Sequence, residues 1–92
     1  MARSAVKSGQ DRLIERHIDP NWDRYPGGQA DARLRESGVP VWALIGHLRA
    51  VENDVDRVAT DYELPREAVQ AALAYYRRHK ALIDARLLLN TA

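Results

Sequence analysis

The spacing of apolar residues between positions 55 and 72 constrains the fold of this chain most strongly, because it is typical of two short helices joined by a tight turn. Such helices share one small core, so each must present a single apolar stripe to the other. Leu64 fits beneath the turn, and Pro65 suits the first position of the second helix, where its missing N–H needs no partner. The spacing therefore predicts a helix-turn-helix unit. Its buried positions are Val58, Ala59, Tyr62, Leu64, Val69 and Ala72.

The second helix of this unit has a narrow polar face. Arg66, Gln70 and Arg77 fall within a small angular range, and the short side chains of Ala71 and Ala74 separate them from the rest of the surface. Arginine and glutamine near the start of a helix are suited to reading base edges in the major groove. We therefore expect DNA binding, with base contacts from Arg66 and Gln70 and phosphate contacts from the later cations. The predicted DNA-binding residues are Arg66, Gln70, Arg77, Arg78 and Lys80.

Two features of the unit oppose this interpretation. Glu63 occupies the turn where glycine is common, so it must adopt an unusual backbone conformation or a different turn. The net charge is +1, but residues 52–63 carry five carboxylates and one arginine, whereas residues 65–92 carry five Lys or Arg side chains and two carboxylates. An acidic first helix would bring negative charge towards the DNA backbone. The spacing alone fits a plain helical hairpin equally well.

The composition is that of one small globular domain. The 92 residues are 46% hydrophobic and 29% charged, which is enough for a modest core. The absence of cysteine excludes disulfides and thiolate metal sites and is compatible with a reducing cytoplasm. No apolar run has membrane-spanning length, and residues 1–10 lack the apolar core of a secretory signal. We expect a cytoplasmic protein without a membrane partner.

The N-terminal part of the chain is predicted to contain a tail and a hairpin. Residues 1–11 are polar and predict a flexible tail, so that residues 12–92 form the single domain. Residues 13–18 and 32–36 are predicted to be short strands that pair as a hairpin or are exchanged between the chains of a dimer. The expected fold is mainly α: a small helix-turn-helix domain with a short N-terminal β-hairpin and a long C-terminal helix.

One further helix is predicted before the helix-turn-helix unit. Residues 41–51 carry an apolar stripe at helical spacing, and Pro40 suits the first turn of this helix. Asn53 is then predicted to cap the helix that begins near Asp54. The stripe consists of Val41, Trp42, Leu44, Ile45, Leu48 and Val51.

The last helix is predicted to run from residue 65 to about residue 89, which is longer than one small core requires. It has two apolar faces, and a helix of that kind usually buries both. We expect one face in the core and the other in a protein interface, either a homodimer or a site for a different protein. The core face carries Val69, Tyr76, Ile83 and Leu87, and the interface face carries Tyr75, Leu82 and Leu89.

The sequence contains no recognisable catalytic or metal-binding motif. His17, His47 and His79 are too far apart to form a local ligand motif, and the serines have no nucleophile-elbow context. Gly27 and Gly28 lack the other residues of a phosphate-binding loop. We therefore expect a protein that is not an enzyme and that uses neither a metal nor another cofactor.

Three segments resemble a known family. They are Ser-Gly-Val-Pro-Val-Trp-Ala-Leu at 37–44, Asp-Tyr-Glu-Leu at 61–64 and Val-Gln-Ala-Ala-Leu-Ala-Tyr-Tyr at 69–76. In these segments the chain resembles the bacterial domain-of-unknown-function family four-three-three, whose members resemble VapB-type antitoxins. The resemblance covers about residues 14–76, with Glu-Ser-Gly at 36–38 in place of the family's Gly-Thr-Arg.

This resemblance implies a small winged-helix or homeodomain-like antitoxin that binds and silences a PIN-like ribonuclease toxin. Such antitoxins commonly repress their own operon through the helix-turn-helix. The implied partners are therefore the cognate toxin and operator DNA, beside a second copy of the chain. A competing hypothesis is a dimeric helical adaptor or a transcriptional regulator without a toxin partner. Salt distinguishes DNA binding from the adaptor, because binding through phosphate contacts weakens steeply as salt rises, whereas an apolar protein interface does not.

Overall fold

Helices dominate the computed structural model of this protein, which describes residues 8–91. The predicted mainly α fold is confirmed, whereas the N-terminal β-hairpin is wrong, because these residues contain no strand. The first part of the predicted tail, residues 1–7, lies outside the described residues. The α-helices are α1 Gly9–His17, α2 Val41–Ala50, α3 Val55–Asp61, α4 Arg66–Arg78 and α5 Lys80–Thr91, and two 3₁₀ helices span Trp22–Arg24 and Gly28–Asp31.

Helix α1 replaces the end of the predicted tail and most of the first predicted strand. The Ser8 hydroxyl accepts a hydrogen bond from the backbone N–H of Asp11, and the Asp11 carboxylate accepts one from the backbone N–H of Ser8, each at 3.0 Å. This reciprocal capping box stabilises the first turn of the helix. Leu13 and Ile14 then pack against the core from one helical face. A capped helix therefore buries the residues that a strand had been expected to bury.

The two predicted strands still meet, but only through isolated contacts. Ile18 forms an antiparallel bridge with Leu34, and Arg33 forms one with Pro40. Because α1 ends at His17, only a few extended residues remain on its side, so the pairing cannot grow into a hairpin. The bridges bring the segment before α2 back against the end of α1.

The connection between α3 and α4 has the predicted tight turn. Glu63 has φ of +55°, so the expectation that a non-glycine residue here adopts an unusual conformation is confirmed. The backbone N–H of Leu64 donates to the carbonyl of Ala59 at 2.8 Å, which closes the turn. The two helix starts differ from prediction by one residue, since Asp54 rather than Asn53 caps α3 and Pro65 precedes α4.

Helix α4 is central to the core. It packs against α1, α2 and α3, and alanines on its surface allow these helices to approach closely. Its buried residues are Ala68, Val69, Ala71, Ala72, Ala74 and Tyr75. Along residues 8–91, the helices are all too short or too polar to cross a membrane.

The long C-terminal helix of the prediction is wrong, because His79 divides it into α4 and α5. His79 has φ of −128° and ψ of 37°, which is outside the helical region. After this residue the chain turns, and α5 packs on α2 and on the second 3₁₀ helix. Ile83 is fully buried in this contact.

Candidate functional site

The predicted DNA-binding face is present on α4, which exposes Arg66 and Arg77 and leaves Gln70 half-buried. Arg66 does not stand alone, because its Nε donates to Oδ1 of Asp56 on α3 at 2.8 Å. Both side chains are largely exposed, so water and salt screen this ion pair and it contributes little to stability. The carboxylates of α3 therefore reach the start of α4, as the charge distribution had indicated.

An open groove of about 360 Å³ runs beside this face between α1 and α4. Gln70 and Arg77 line the groove from α4, and Gln10 and Leu13 line it from α1. Because α1 lies alongside α4, only a narrow strip of α4 remains accessible. Within residues 8–91, the side chain of Arg77 makes no ion pair or hydrogen bond, so its guanidinium is available to an anion.

The other two predicted phosphate contacts are engaged within the chain. Arg78 forms an ion pair with Asp11 of α1, and the Lys80 Nζ donates to Asp84 in the first turn of α5 at 2.8 Å. The pKa of Asp11 lies below its usual value, because the backbone N–H of Ser8 and the Arg78 guanidinium both donate to it. The Arg78 pair joins α4 to α1 and the Lys80 pair lies within α5, so contact with phosphate would require each cation to exchange its partner.

The predicted interface face is only partly present, since Tyr75 lies in the core. Its side chain is 5% exposed, and its hydroxyl donates to the backbone carbonyl of Gln29 at 2.8 Å. Burial raises the pKa of Tyr75 to about 12. Tyr75 is therefore corrected from an interface residue to a core residue, because the break at His79 separates it from α5. Leu82 and Leu89 remain on the surface of α5 and are 44% and 73% exposed.

A polar contact that sequence reasoning missed holds α5 against the rest of the protein. The Asp31 carboxylate is buried, accepts from the indole N–H of Trp42 at 2.9 Å and lies 3.5 Å from the Nε of Arg86. The Arg86 guanidinium stacks over the Trp42 ring at 4.4 Å from its centroid. A cation in this position is attracted by the electron-rich face of the indole ring. No local spacing indicates this cluster, because its members come from three separate elements.

A second contact of α5 centres on Asp84. Its carboxylate accepts from Lys80, from the Tyr76 hydroxyl of α4 and from Arg49 of α2, at 2.7 to 2.8 Å. These three donors hold the pKa of Asp84 well below its ordinary value. The hydrogen bond to Asp84 correspondingly raises the pKa of Arg49. One carboxylate thus joins α2, α4 and α5.

His17 occupies a third polar cluster, at the junction of α1 and α4. Its buried ring places Nδ1 3.0 Å from Glu36 and Nε2 3.2 Å from Glu67, which also accepts from Arg16. Each ring nitrogen of His17 therefore faces a carboxylate, one from the segment before α2 and one from α4. The hydrogen bond from His17, followed by that from Arg16, lowers the pKa of Glu67. Among the described residues, no group of three or more His, Cys, Asp or Glu side chains could hold a metal ion.

Comparison with known proteins gives one match. A family model described as "Protein of unknown function (DUF433)" matches residues 28–76, which is more than half of the chain. The matched segment contains α2, α3 and most of α4, together with the second 3₁₀ helix. Helices α1 and α5 lie outside it. No curated protein and no solved structure matches this chain.

Proposed function

This chain belongs to the DUF433 family of unknown function, and we propose that it is the antitoxin of a type II toxin-antitoxin pair. It acts in the cytoplasm by binding rather than by catalysis: it neutralises a PIN-like ribonuclease toxin and represses its own operon. The observation that supports this most directly is the arrangement of α3 and α4. Their tight turn buries the apolar residues and leaves Arg66, Gln70 and Arg77 on one outward strip.

In this proposal α3 and α4 act as a helix-turn-helix. Arg66 lies at the first position of α4, where the positive end of the helix dipole adds to its charge. Its present partner, Asp56, is mostly exposed, so little free energy is lost when Arg66 exchanges that carboxylate for a guanine edge. Arg77 lies at the far end of the same strip and contacts phosphate.

Two substitutions at one ion pair test the DNA contact. Arg66→Ala should weaken binding to DNA from upstream of the chain's own gene by about 1 to 3 kcal/mol, as expected for an arginine that reads a base. Asp56→Asn should instead tighten binding, because it removes a carboxylate and releases Arg66. Fluorescence anisotropy at fixed salt measures both changes.

Arg24→Ala is the matched control for charge. Arg24 is exposed in the first 3₁₀ helix, and within residues 8–91 this helix contacts the second 3₁₀ helix and not α4. Equal losses of affinity for the Arg66 and Arg24 variants would mean that DNA binding is nonspecific and would remove Arg66 from the site.

The toxin-binding part of the proposal concerns Leu82 and Leu89. They lie seven residues apart on one side of α5 and are the most natural apolar contact for a partner protein. Leu82→Asp should therefore abolish inhibition of the ribonuclease encoded beside this chain while leaving its helical circular dichroism unchanged. Ala81→Asp is the control, since Ala81 is exposed on α5 about a quarter turn away. Unaltered inhibition by the Leu82 variant would exclude this face.

A second candidate function is supported by the ion pairs themselves. Three of the four cations expected to bind DNA are paired with carboxylates of the same chain: Arg66 with Asp56, Arg78 with Asp11 and Lys80 with Asp84. This neutralised surface suits a dimeric helical adaptor. The salt dependence of binding separates this adaptor from a DNA-binding antitoxin or a regulator without a toxin partner, because only phosphate contacts release counterions. Affinity for DNA that is unaffected by salt would favour the adaptor.

A further inference from the structure

The break between α4 and α5 has no cause in the local sequence. The residues from 77 to 80 are Arg, Arg, His and Lys, so neither glycine nor proline interrupts the helix. His79 ends one helix and starts the next: its N–H donates to the carbonyls of Tyr75 and Tyr76, and its carbonyl accepts from the N–H of Ile83. A single residue outside the helical region therefore separates two segments that are each helical.

The break leaves backbone hydrogen bonds unmade. The N–H groups of Lys80, Ala81 and Leu82 have no backbone acceptor, as is usual for the first turn of a helix. In a continuous helix these three groups would donate to carbonyls in the last turn of α4. Local sequence and backbone hydrogen bonding therefore both favour one uninterrupted helix.

Contacts between α5 and α2 hold the break in place. Ile83 is fully buried, Leu87 lies against Gly46, and Asp84 and Arg86 reach partners on α2 and the second 3₁₀ helix. α5 makes few contacts with α4 itself. The α5 docking contacts require that α5 lie on an α2, but they do not require that the same chain supply both helices.

We propose that α5 is exchanged between two copies of this chain. In the exchanged dimer, α4 and α5 form one helix of about 39 Å over residues 66–91, and α5 of each copy docks on α2 of the other. The monomer must break the helix to dock α5, whereas the dimer has both the continuous helix and the docking contacts. Domain exchange of this kind keeps every native contact and changes only the hinge.

The exchange is independent of the proposed toxin and DNA contacts. Leu82 and Leu89 lie outside the α5 docking contact, so they remain on the surface in the monomer and in the exchanged dimer. The occupant of the α2 surface is a second copy because that copy reproduces the whole set of docking contacts, including the Asp31 and Arg49 ion pairs.

Disulfide trapping tests which chain supplies α5. The chain has no cysteine, and a Cβ built at Gly46 lies 3.2 Å from Cδ2 of Leu87, so cysteines at these two positions face each other across the contact between α2 and α5. We expect the oxidised Gly46→Cys/Leu87→Cys protein to run as a covalent dimer on a non-reducing gel. A monomer with an intrachain disulfide, formed at the same high protein concentration, would overturn the proposal.

A pair of hinge variants gives a second test that does not depend on disulfide formation. His79→Ala and His79→Gly both remove the ring that stacks on Tyr75, and they differ in helix propensity. Because the exchanged dimer contains two continuous hinges, its Kd should be on the order of 20-fold lower for the alanine variant. Sedimentation equilibrium measures the two constants. Equal constants, or monomers for both variants at every concentration, would contradict an exchange through His79.

Discussion

Helices α4 and α5 are consecutive in the chain and similar in length, yet they have opposite relations to the core. α4 buries alanines, Val69 and Tyr75 against three other helices, whereas over residues 80–90 α5 buries Ile83 alone and exposes three leucines. α5 contacts α2 and the second 3₁₀ helix through Ile83 and Leu87 and through the ion pairs of Asp84 and Arg86. This difference indicates that α4 determines whether the protein folds, and that α5 can leave the fold without unfolding it.

The sharpest way to test this comparison is to place the same charge on both helices. Ala72→Asp buries a carboxylate without a partner on α4, which should cost about 3 to 5 kcal/mol and unfold much of a domain of this size. Ala81→Asp places the same side chain on the exposed surface of α5, where the change should be within about 0.5 kcal/mol. Urea unfolding followed by circular dichroism measures both. Comparable losses would show that α5 is as essential as α4.

A smaller effect is expected when the main apolar contact of α5 is removed. Ile83→Ala removes most of a fully buried side chain, a change that costs about 2 to 5 kcal/mol of stability in a core. The loss is smaller here, because α5 can detach while the rest of the protein stays folded. Hydrogen exchange should show α5 amides losing protection while α4 amides keep theirs. Leu82→Ala, at an exposed position of the same helix, is the control. Equal loss of protection in both helices would show that α5 does not detach separately from α4.

Acid should loosen α5 through Asp84. Hydrogen bonds from Lys80, Tyr76 and Arg49 lower the pKa of Asp84 in the folded protein from an ordinary 3.8. The contribution of Asp84 to the free energy of unfolding is therefore complete above pH 3.8. It is lost as pH falls from 3.8 through the lower pKa of the folded protein. Asp84→Asn should lower the urea midpoint at pH 7, and the difference from the wild type should shrink below pH 3.8. A difference that is independent of pH would exclude the carboxylate as the cause.

The smallest expected effect concerns the approach of α5 to α2. Gly46→Ala should stabilise the protein by less than about 1 kcal/mol, because alanine favours the helix. The added methyl group lies 3.2 Å from Leu87, whose side chain borders open space and can move. Thermal unfolding measures the change, and the same substitution in a Leu87→Ala background removes the contact. Destabilisation that disappears in that background would mean that α5 packs as tightly as α4.

The parts of the fold that follow from local periodicity were predicted from the sequence, and the parts that depend on distant contacts were not. Apolar spacing places α2, α3 and α4 and aligns Arg66, Gln70 and Arg77, and the strained turn at Glu63 follows from its position. The break at His79 has no local signal, because residues far away in the chain hold α5.

The error at α1 is of a different kind, because a sequence signal was present. Ser8 followed by Asp11 is a capping-box pattern, but aspartate stands where glutamate or glutamine is usual. The short apolar run after it fits a strand as well as a helix. The error at Tyr75 follows instead from the break, since seven-residue spacing defines one face only while the helix is continuous.

The position of Trp42 gives the chain a built-in optical signal. Its indole N–H donates to Asp31 of the second 3₁₀ helix and its ring lies under the Arg86 guanidinium of α5, so the positive charge of Arg86 acts on the ring only while α5 is docked. The emission of an indole depends on this field, and Trp22→Phe removes the other tryptophan of the chain. Fluorescence of Trp42 therefore reports whether an α5 is docked. The signal is the same whichever copy supplies that helix. Fluorescence therefore measures docking of α5 independently of its exchange between copies.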